Sequence, residues 1–334
     1  MKNCKKSYSR ITLIYYVGGL FLVFSVIFGL MMGGTLITFK ELYEVITGFT
    51  VDSVASRIFW YVRVPRIIAC LFSGAALAVS GAVIQGALAN PLASPSIIGV
   101  SSGAGLAITV CSALGIYGGL KLSLFSFLGA FLSVMIVSAI SKKLGASRGT
   151  VILLGIALNS LLNAISDIII SFNTDIAITN NDFKMGDFSS VTYQKILPAG
   201  IIITITLFIL FTFTNELDLL TMGDENSKGL GLNTQFIRTV FLVLSALLAG
   251  CAVSVAGLLS FVGLIVPHIV RKLAGNKASN LLPLSALFGA GFVAFCDTMA
   301  RTVFSPYEVP VGIFMSLLGA PFFVYMLCRR KGRG

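Results

Sequence analysis

Charged side chains are scarce in this sequence. Asp, Glu, Lys and Arg make up 11% of its 334 residues, against about 25% in ordinary soluble domains. Water is therefore not the main solvent of the folded chain. Groups that do chemistry are scarcer still. There is one histidine and no paired carboxylate, and a membrane-embedded enzyme acting on lipid needs convergent acids, bases or metal ligands. The six cysteines (Cys4, Cys70, Cys111, Cys251, Cys296, Cys328) are scattered, with no CxxC and no Cys/His spacing. They read as small buried hydrophobes, neither a disulfide framework nor a metal site. No GxxxxGK[ST] occurs, so the chain has no phosphate-binding loop of its own. The middles of its apolar runs also lack the carboxylates or histidines that an ion-coupled carrier keeps there at a cost. Asp167, Asp297 and Glu308 fall toward the ends of runs, and His268 falls near the end of a short one.

What the chain does have is apolar length. Hydrophobic residues make up 56% of it and the mean hydropathy is +0.96. Runs of the length needed to cross a bilayer, roughly twenty residues, recur from Ile11 to Leu327. Open sheet edges cannot survive in lipid, so the expected class is all-α. We expect spans near 11–32, 67–88, 95–116, 122–141, 150–172, 196–214, 239–256, 258–270, 281–297 and 310–328, the eighth being short. The first follows Lys2, Lys5, Lys6 and Arg10 but is too long for a signal-peptide core, so it is retained as a span. With the N-terminus in the cytoplasm, sixteen of the 24 basic residues fall inside. That excess obeys the positive-inside rule and places both termini inside. Residues 1–334 then form one membrane domain with a cytoplasmic N-tail (1–10), a cytoplasmic loop (215–238) and a cytoplasmic C-tail (329–334). An eight-span arrangement is the alternative. The net charge of +11 crowds into particular loops, which argues against nucleic acid as a partner.

At an offset of 176 the chain aligns Leu71, Gly74, Ala76, Val79, Gly81, Leu88, Pro91 and Gly99 with Leu247, Gly250, Ala252, Val255, Gly257, Leu264, Pro267 and Gly275. The pairing joins the second span to the seventh, so the copies run in opposite directions, an inverted repeat of the kind transporters use. Chance similarity among small-residue helices is the other explanation. Gly74, Ala75, Ala76, Ala78, Ser80, Gly81 and Ala82 make the second helix slim enough for close packing. Asn159, Asn163 and Asp167 recur every four residues of the fifth span and form one polar stripe. Lipid penalises such a stripe, so it faces a water-filled path or bonds to another helix. A transporter with neither ion relay nor nucleotide site takes its energy from a separate motor. The polar segment GDENSKGLGLN (223–233) is the candidate contact, with an ordinary solvated connection as the alternative.

Several ordered motifs resemble the FecCD family of binding-protein-dependent ABC importer permeases. They are RVPR (63–66), GAALAVSGAVIQGALANPLASPSIIGVSSGA (74–104), FVGLIVPHIVR (261–271), DTMAR (297–301) and EVPVGIFMSLLGAPFFVYML (308–327). The resemblance implies a type II importer permease fold of about ten helices in the cell membrane of a bacterium. It implies a dimer with a second permease subunit, identical or homologous, and a path between the two. It also implies two cytoplasmic ATPase subunits that bind ATP and Mg, and an external solute-binding protein. No cofactor is expected on this chain. The cargo class is ferric siderophore, with haem or cobalamin as alternatives, and an ion-coupled secondary transporter is the competing function. By position, the resemblance makes Arg63, Arg66 and Arg301 the docking face for carboxylates of the binding protein, a task suited to a guanidinium fork. Snorkelling to lipid headgroups is the alternative role for those arginines. It makes Gly223, Asp224, Glu225, Ser227, Gly229 and Gly231 the loop that meets the ATPase. Asn90, Pro91 and Leu92 become the cytoplasmic gate, and Asn159, Asn163 and Asp167 line the path. FKMGDFSS (183–190) falls in the outer loop beside the binding protein.

Overall fold

The computed structural model describes residues 2–33, 38–47, 54–173 and 175–331. Among these the chain is helical with no strand. The helices are α1 (Lys2–Met31), α2 (Phe39–Ile46), α3 (Val54–Ile58), α4 (Val64–Ala87), α5 (Val100–Ala113), α6 (Gly119–Lys143), α7 (Arg148–Phe172) and α8 (Asp175–Met185). They continue as α9 (Tyr193–Thr212), α10 (Thr214–Thr221), α11 (Asp224–Gly229), α12 (Thr234–Ala256), α13 (Val262–Ala274), α14 (Ala278–Thr302) and α15 (Val311–Lys331). A π-helical turn, Phe59–Arg63, joins α3 to α4 without a break. Pro65 explains it: proline offers no N–H and its ring crowds the carbonyl four residues back. The wider turn relieves that crowding, with Val64 N–H bonded to the Phe59 carbonyl.

Helix α4 is the spine of the bundle. The helix Val54–Ala87 has 83% of its most apolar window buried, against 11% for Arg10–Met31 and for Arg148–Phe172. Around α4 pack α14, α12, α13 and α9. Small residues make this geometry available, because Gly74 lies against the Gly289 carbonyl and Gly81 against the Gly263 carbonyl. A methyl group at either position would collide with backbone rather than with a side chain that can turn away. Helix α1 lies outside α14, with Phe21 and Phe28 stacked on Phe288 and Phe295 and Gly18 seated on Leu287. Four of the cysteines (Cys70, Cys111, Cys251, Cys296) are buried and unbonded, and Cys328 is exposed.

Each of the ten expected spans contains a helix, but they are not equal. Among the described residues, seven helices are long and apolar enough to cross a membrane: Arg10–Met31, Val54–Ala87, Gly119–Lys143, Arg148–Phe172, Tyr193–Thr212, Thr234–Ala256 and Ala278–Thr302. The expected third, eighth and tenth spans correspond to α5 with 14 residues, α13 with 13 and the short apolar stretch Val311–Tyr325. The reason for α5 is local. Pro91, Pro95 and Gly99 occupy residues 88–99, which form successive turns, and Gly99 adopts φ +107, a conformation that favours glycine. Helix α13 starts late because Gly257 and Phe261 both take positive φ. The two segments aligned at the offset of 176 lie in α4 and its following turns and in α12 and α13. Helices α4 and α12 pack against each other, with Ser80 Oγ donating to the Ser245 carbonyl at 2.8 Å. Beyond them the aligned segments differ in structure: residues 88–99 are turns, whereas the positions from Leu264 to Ala274 are helical.

Candidate functional site

The bundle has a polar cluster at each end, built from the termini of helices that begin or finish there. At one end the π-helical turn brings Arg63 and α4 brings Arg66, and α14, running the opposite way, brings Asp297 and Arg301. Arg66 Nε donates to both carboxylate oxygens of Asp297, at 3.2 and 3.1 Å, and Nη2 donates to Oδ1 at 3.1 Å. Its Nη1 reaches Glu308 Oε2 at 3.0 Å, and Asp187 Oδ1 stands 3.6 Å from Nη2. Arg301 pairs with Asp297 Oδ2 at 3.2 Å. Arg63 Nη1 donates to the Leu30 and Met31 carbonyls at 2.5 and 2.8 Å, closing the end of α1. The three arginines lie together at this end, but they do not form an exposed basic face. They are 2%, 5% and 5% exposed, and three carboxylates of the same chain face them. The physical cause is desolvation: a guanidinium at a packed helix end must be satisfied from within or remain in water. The FKMGDFSS segment joins this end. Asp187 N–H donates to the Ala256 carbonyl, Phe188 is buried, and Gly312 N–H donates to the Gly186 carbonyl.

At the opposite end α10 and α11 form two short helices between α9 and α12. Gly223 (φ +105) and Gly231 (φ +85) flank α11 and supply backbone conformations that other residues take only with strain. Ser227 is fully buried and donates to the Leu219 and Gly223 carbonyls, both at 2.6 Å, folding α11 back on α10. Asp218 Oδ1 accepts from Ala278 N–H at 2.8 Å, anchoring α10 to the start of α14. Asp224 Oδ1 accepts from Arg148 Nη2 at 2.6 Å, and both of its oxygens accept from Arg238 Nη2, at 2.7 and 2.8 Å. Burial raises the Asp224 carboxyl, but hydrogen bonds from the two arginines outweigh it and hold the group below the usual carboxylate range. Glu225, Gly229 and Gly231 are exposed. Exposed Met222, Leu230 and Phe236 surround them, an apolar rim on an otherwise polar end.

Between the two ends the polar stripe of α7 divides. Asn159 Nδ2 donates to the Ser96 and Ile97 carbonyls at 2.9 and 3.0 Å, and Ser102 Oγ donates to Asn159 Oδ1 at 2.5 Å. Its amide therefore braces the unwound chain ahead of α5, satisfying carbonyls that have no helical partner. Asn163 and Asp167, on the same face, are exposed at the surface of the single chain. Asn90 Oδ1 accepts from Leu92 N–H at 2.9 Å, so this side chain shapes the turn that ends α4; Pro91 and Leu92 are exposed. A cavity of about 360 Å³ lies between the two unwound stretches, bounded by Ser94, Pro95 and Ser101 on one side and Leu259, Ser260 and Phe261 on the other.

The profile of the FecCD transport family matches residues 21–329. The chain belongs to the FecCD transport family. It is 36% identical to the ABC transporter permease protein YvrB of Bacillus subtilis (strain 168), over 99% of both chains. It is 34% identical to the hemin transport system permease protein HmuU of Yersinia pestis, over 90% of both. Among solved structures, an inward-facing metal-chelate type ABC transporter superposes with a TM-score of 0.85 at 30% identity, covering 95% of this chain and 99% of that one. The chain is thus a multi-pass membrane permease of the ABC class, a transport component without catalytic activity of its own. Sequence reasoning missed the partners of its named residues, Arg148 and Arg238 at one end and Asp297, Glu308 and Asp187 at the other, and it missed Asp218, which anchors α10 to α14. One signal was legible. Arg148 opens a helix directly after its cap, Ser147, where the positive end of the helix dipole disfavours a cation unless an anion stands beside it.

Proposed function

We propose that this FecCD-family chain is the membrane subunit of an importer that carries an iron chelate, with a ferric siderophore as the first candidate. The likeness to the metal-chelate transporter over nearly the whole of both chains carries the proposal, and relatives named for hemin and for iron-hydroxamate import support the cargo class. Residues 1–334 act as one permease domain, with the Asp224 end and both termini in the cytoplasm. Met1 and residues 332–334 of those termini lie outside the described residues. Ten crossings follow if α5, α13 and α15 complete the seven long helices. A second permease copy, identical or homologous, covers the exposed face of α7, so that Asn163 and Asp167 line a path between subunits and Asn159 holds its wall. The turn at Asn90, Pro91 and Leu92 closes that path on the cytoplasmic side. ATP and Mg reside on the two ATPase subunits, which meet the chain at Gly223, Glu225, Gly229, Gly231 and the apolar rim around them.

The solute-binding protein docks at the Arg66 end. Because Arg63, Arg66 and Arg301 are already paired, docking proceeds by exchange: a carboxylate of the partner takes the place of Glu308, whose side chain is 49% exposed, on Arg66 Nη1. The deciding experiment is uptake into proteoliposomes without any ion gradient. Ferric siderophore accumulates only when the ATPase, binding protein and ATP are all present. Accumulation by this chain alone, driven by an imposed proton or sodium gradient, would establish a secondary carrier instead.

A further inference from the structure

The Asp224 carboxylate is shared by two helices that begin beside it. Arg148 is the first residue of α7 and Arg238 lies one turn into α12, both at the end where the helix dipole is positive and a cation is disfavoured. A single carboxylate on α11 offsets both. Arg238 is 8% exposed and Arg148 is 17% exposed, while Asp224 is 36% exposed, so the arginines are fixed in the bundle and the carboxylate sits at its surface. Arg148 Nη2 also donates to the Leu220 carbonyl at 2.8 Å, so it grips the end of α10 together with α11. Gln235 Nε2 donates to the Lys142 carbonyl at 3.0 Å, tying the start of α12 to the end of α6. Among the described residues, the side-chain hydrogen bonds that join α11 directly to the long helices α7 and α12 all run through this one carboxylate.

We propose that Asp224, Arg148 and Arg238 form a clamp that converts displacement of α11 into movement of α7 and α12, with Arg148 the positioning residue for the helix that carries Asn163 and Asp167. The proposal rests on the ATPase meeting α11. Charge-assisted bonds at 2.6 to 2.8 Å transmit both pull and push, which the apolar rim alone does not. Without the clamp, α11 follows the ATPase while α7 stays behind.

The test places a fluorophore on α7. Asn163→Cys, labelled with bimane in a Cys4→Ser/Cys328→Ser background, is assembled with the ATPase subunits in nanodiscs and trapped with ATP and vanadate. Trapping shifts the emission of the label. In Arg148→Gln most of the shift is lost while ATP hydrolysis continues. Arg148→Lys, which keeps the charge, restores most of it. An undiminished shift in Arg148→Gln overturns the clamp. Hydrogen exchange on the full chain alone needs no assembly: amides of α11 lose protection in Arg148→Gln, and unchanged protection also overturns it. Deleting Asp224–Lys228 separates the underlying assumption. If trapping still moves the label in the deletion, α11 is not the contact and the coupling-loop assignment falls; if only Arg148→Gln leaves the shift intact, the clamp alone falls.

Discussion

Replacing Asp297 with alanine is the sharpest perturbation of this fold. Asp297 is 1% exposed and accepts three hydrogen bonds from Arg66 and an ion pair from Arg301. Its removal leaves two guanidiniums, each about 5% exposed, facing a void. Breaking a buried pair by deleting one partner costs about 3 to 5 kcal/mol, because the remaining charge is uncompensated. Glu308 and Asp187 keep part of the Arg66 charge satisfied, which places the expected loss near the lower figure, about 3 kcal/mol. Glu308→Ala removes a pair that is half in water and should cost under about 1 kcal/mol. The chain carries its own reporter, since Cys70 and Cys296 are buried beside this cluster and become reactive only when it opens. Melting followed with a thiol-reactive dye in detergent should place Asp297→Ala at least about 5 °C below the parent, with Glu308→Ala near it. Equal melting temperatures for the two variants would refute the buried-pair reasoning.

Other outcomes are specific to single contacts. Gly81→Val drives a branched side chain into the Gly263 backbone and should lower stability by about 3 kcal/mol or prevent assembly of the bundle, whereas Gly229→Ala, with open space around it, should melt like the parent. Glu308→Ala frees one nitrogen of Arg66 and should tighten docking of the binding protein, measured by surface plasmon resonance; weaker docking defeats the exchange scheme. Asn159→Ala leaves the Ile97 carbonyl without its amide partner and the Ser96 carbonyl with only its 3.4 Å bond from Gly99 N–H, at a cost of about 1 to 3 kcal/mol, and faster hydrogen exchange confined to residues 94–101 would report it. The Asp224 carboxyl lies below its unfolded value, so its contribution is present above the ordinary carboxylate range and is lost only as pH falls through the depressed value. Coupling of hydrolysis to uptake should therefore be flat from neutral pH to about pH 5, and a loss between pH 7 and 6 would point to another group.

Solvent, class and family were legible in the chain by itself, because they depend on summed quantities and on local order. Scarce charge and long apolar runs exclude water as the medium, lipid excludes open sheet edges, and the ordered motifs from RVPR to EVPVG carry the family. The small residues of α4 already allowed close packing, and the polar segment 223–233 already stood out as the candidate contact for a motor, although not as two short helices. What remained hidden was the partner of each polar group. Arg66 finds Asp297 231 residues away, and Arg148 finds Asp224 across 76. Local pattern places a charge at a helix end but cannot say whether it is offered to a visitor or neutralised from within. Burial decides that, and burial exists only once α4 and α14 have packed antiparallel and brought their ends together. The same is true of α7, where one face at four-residue spacing is divided by tertiary contact into Asn159, which braces an unwound segment, and Asn163 and Asp167, which remain exposed.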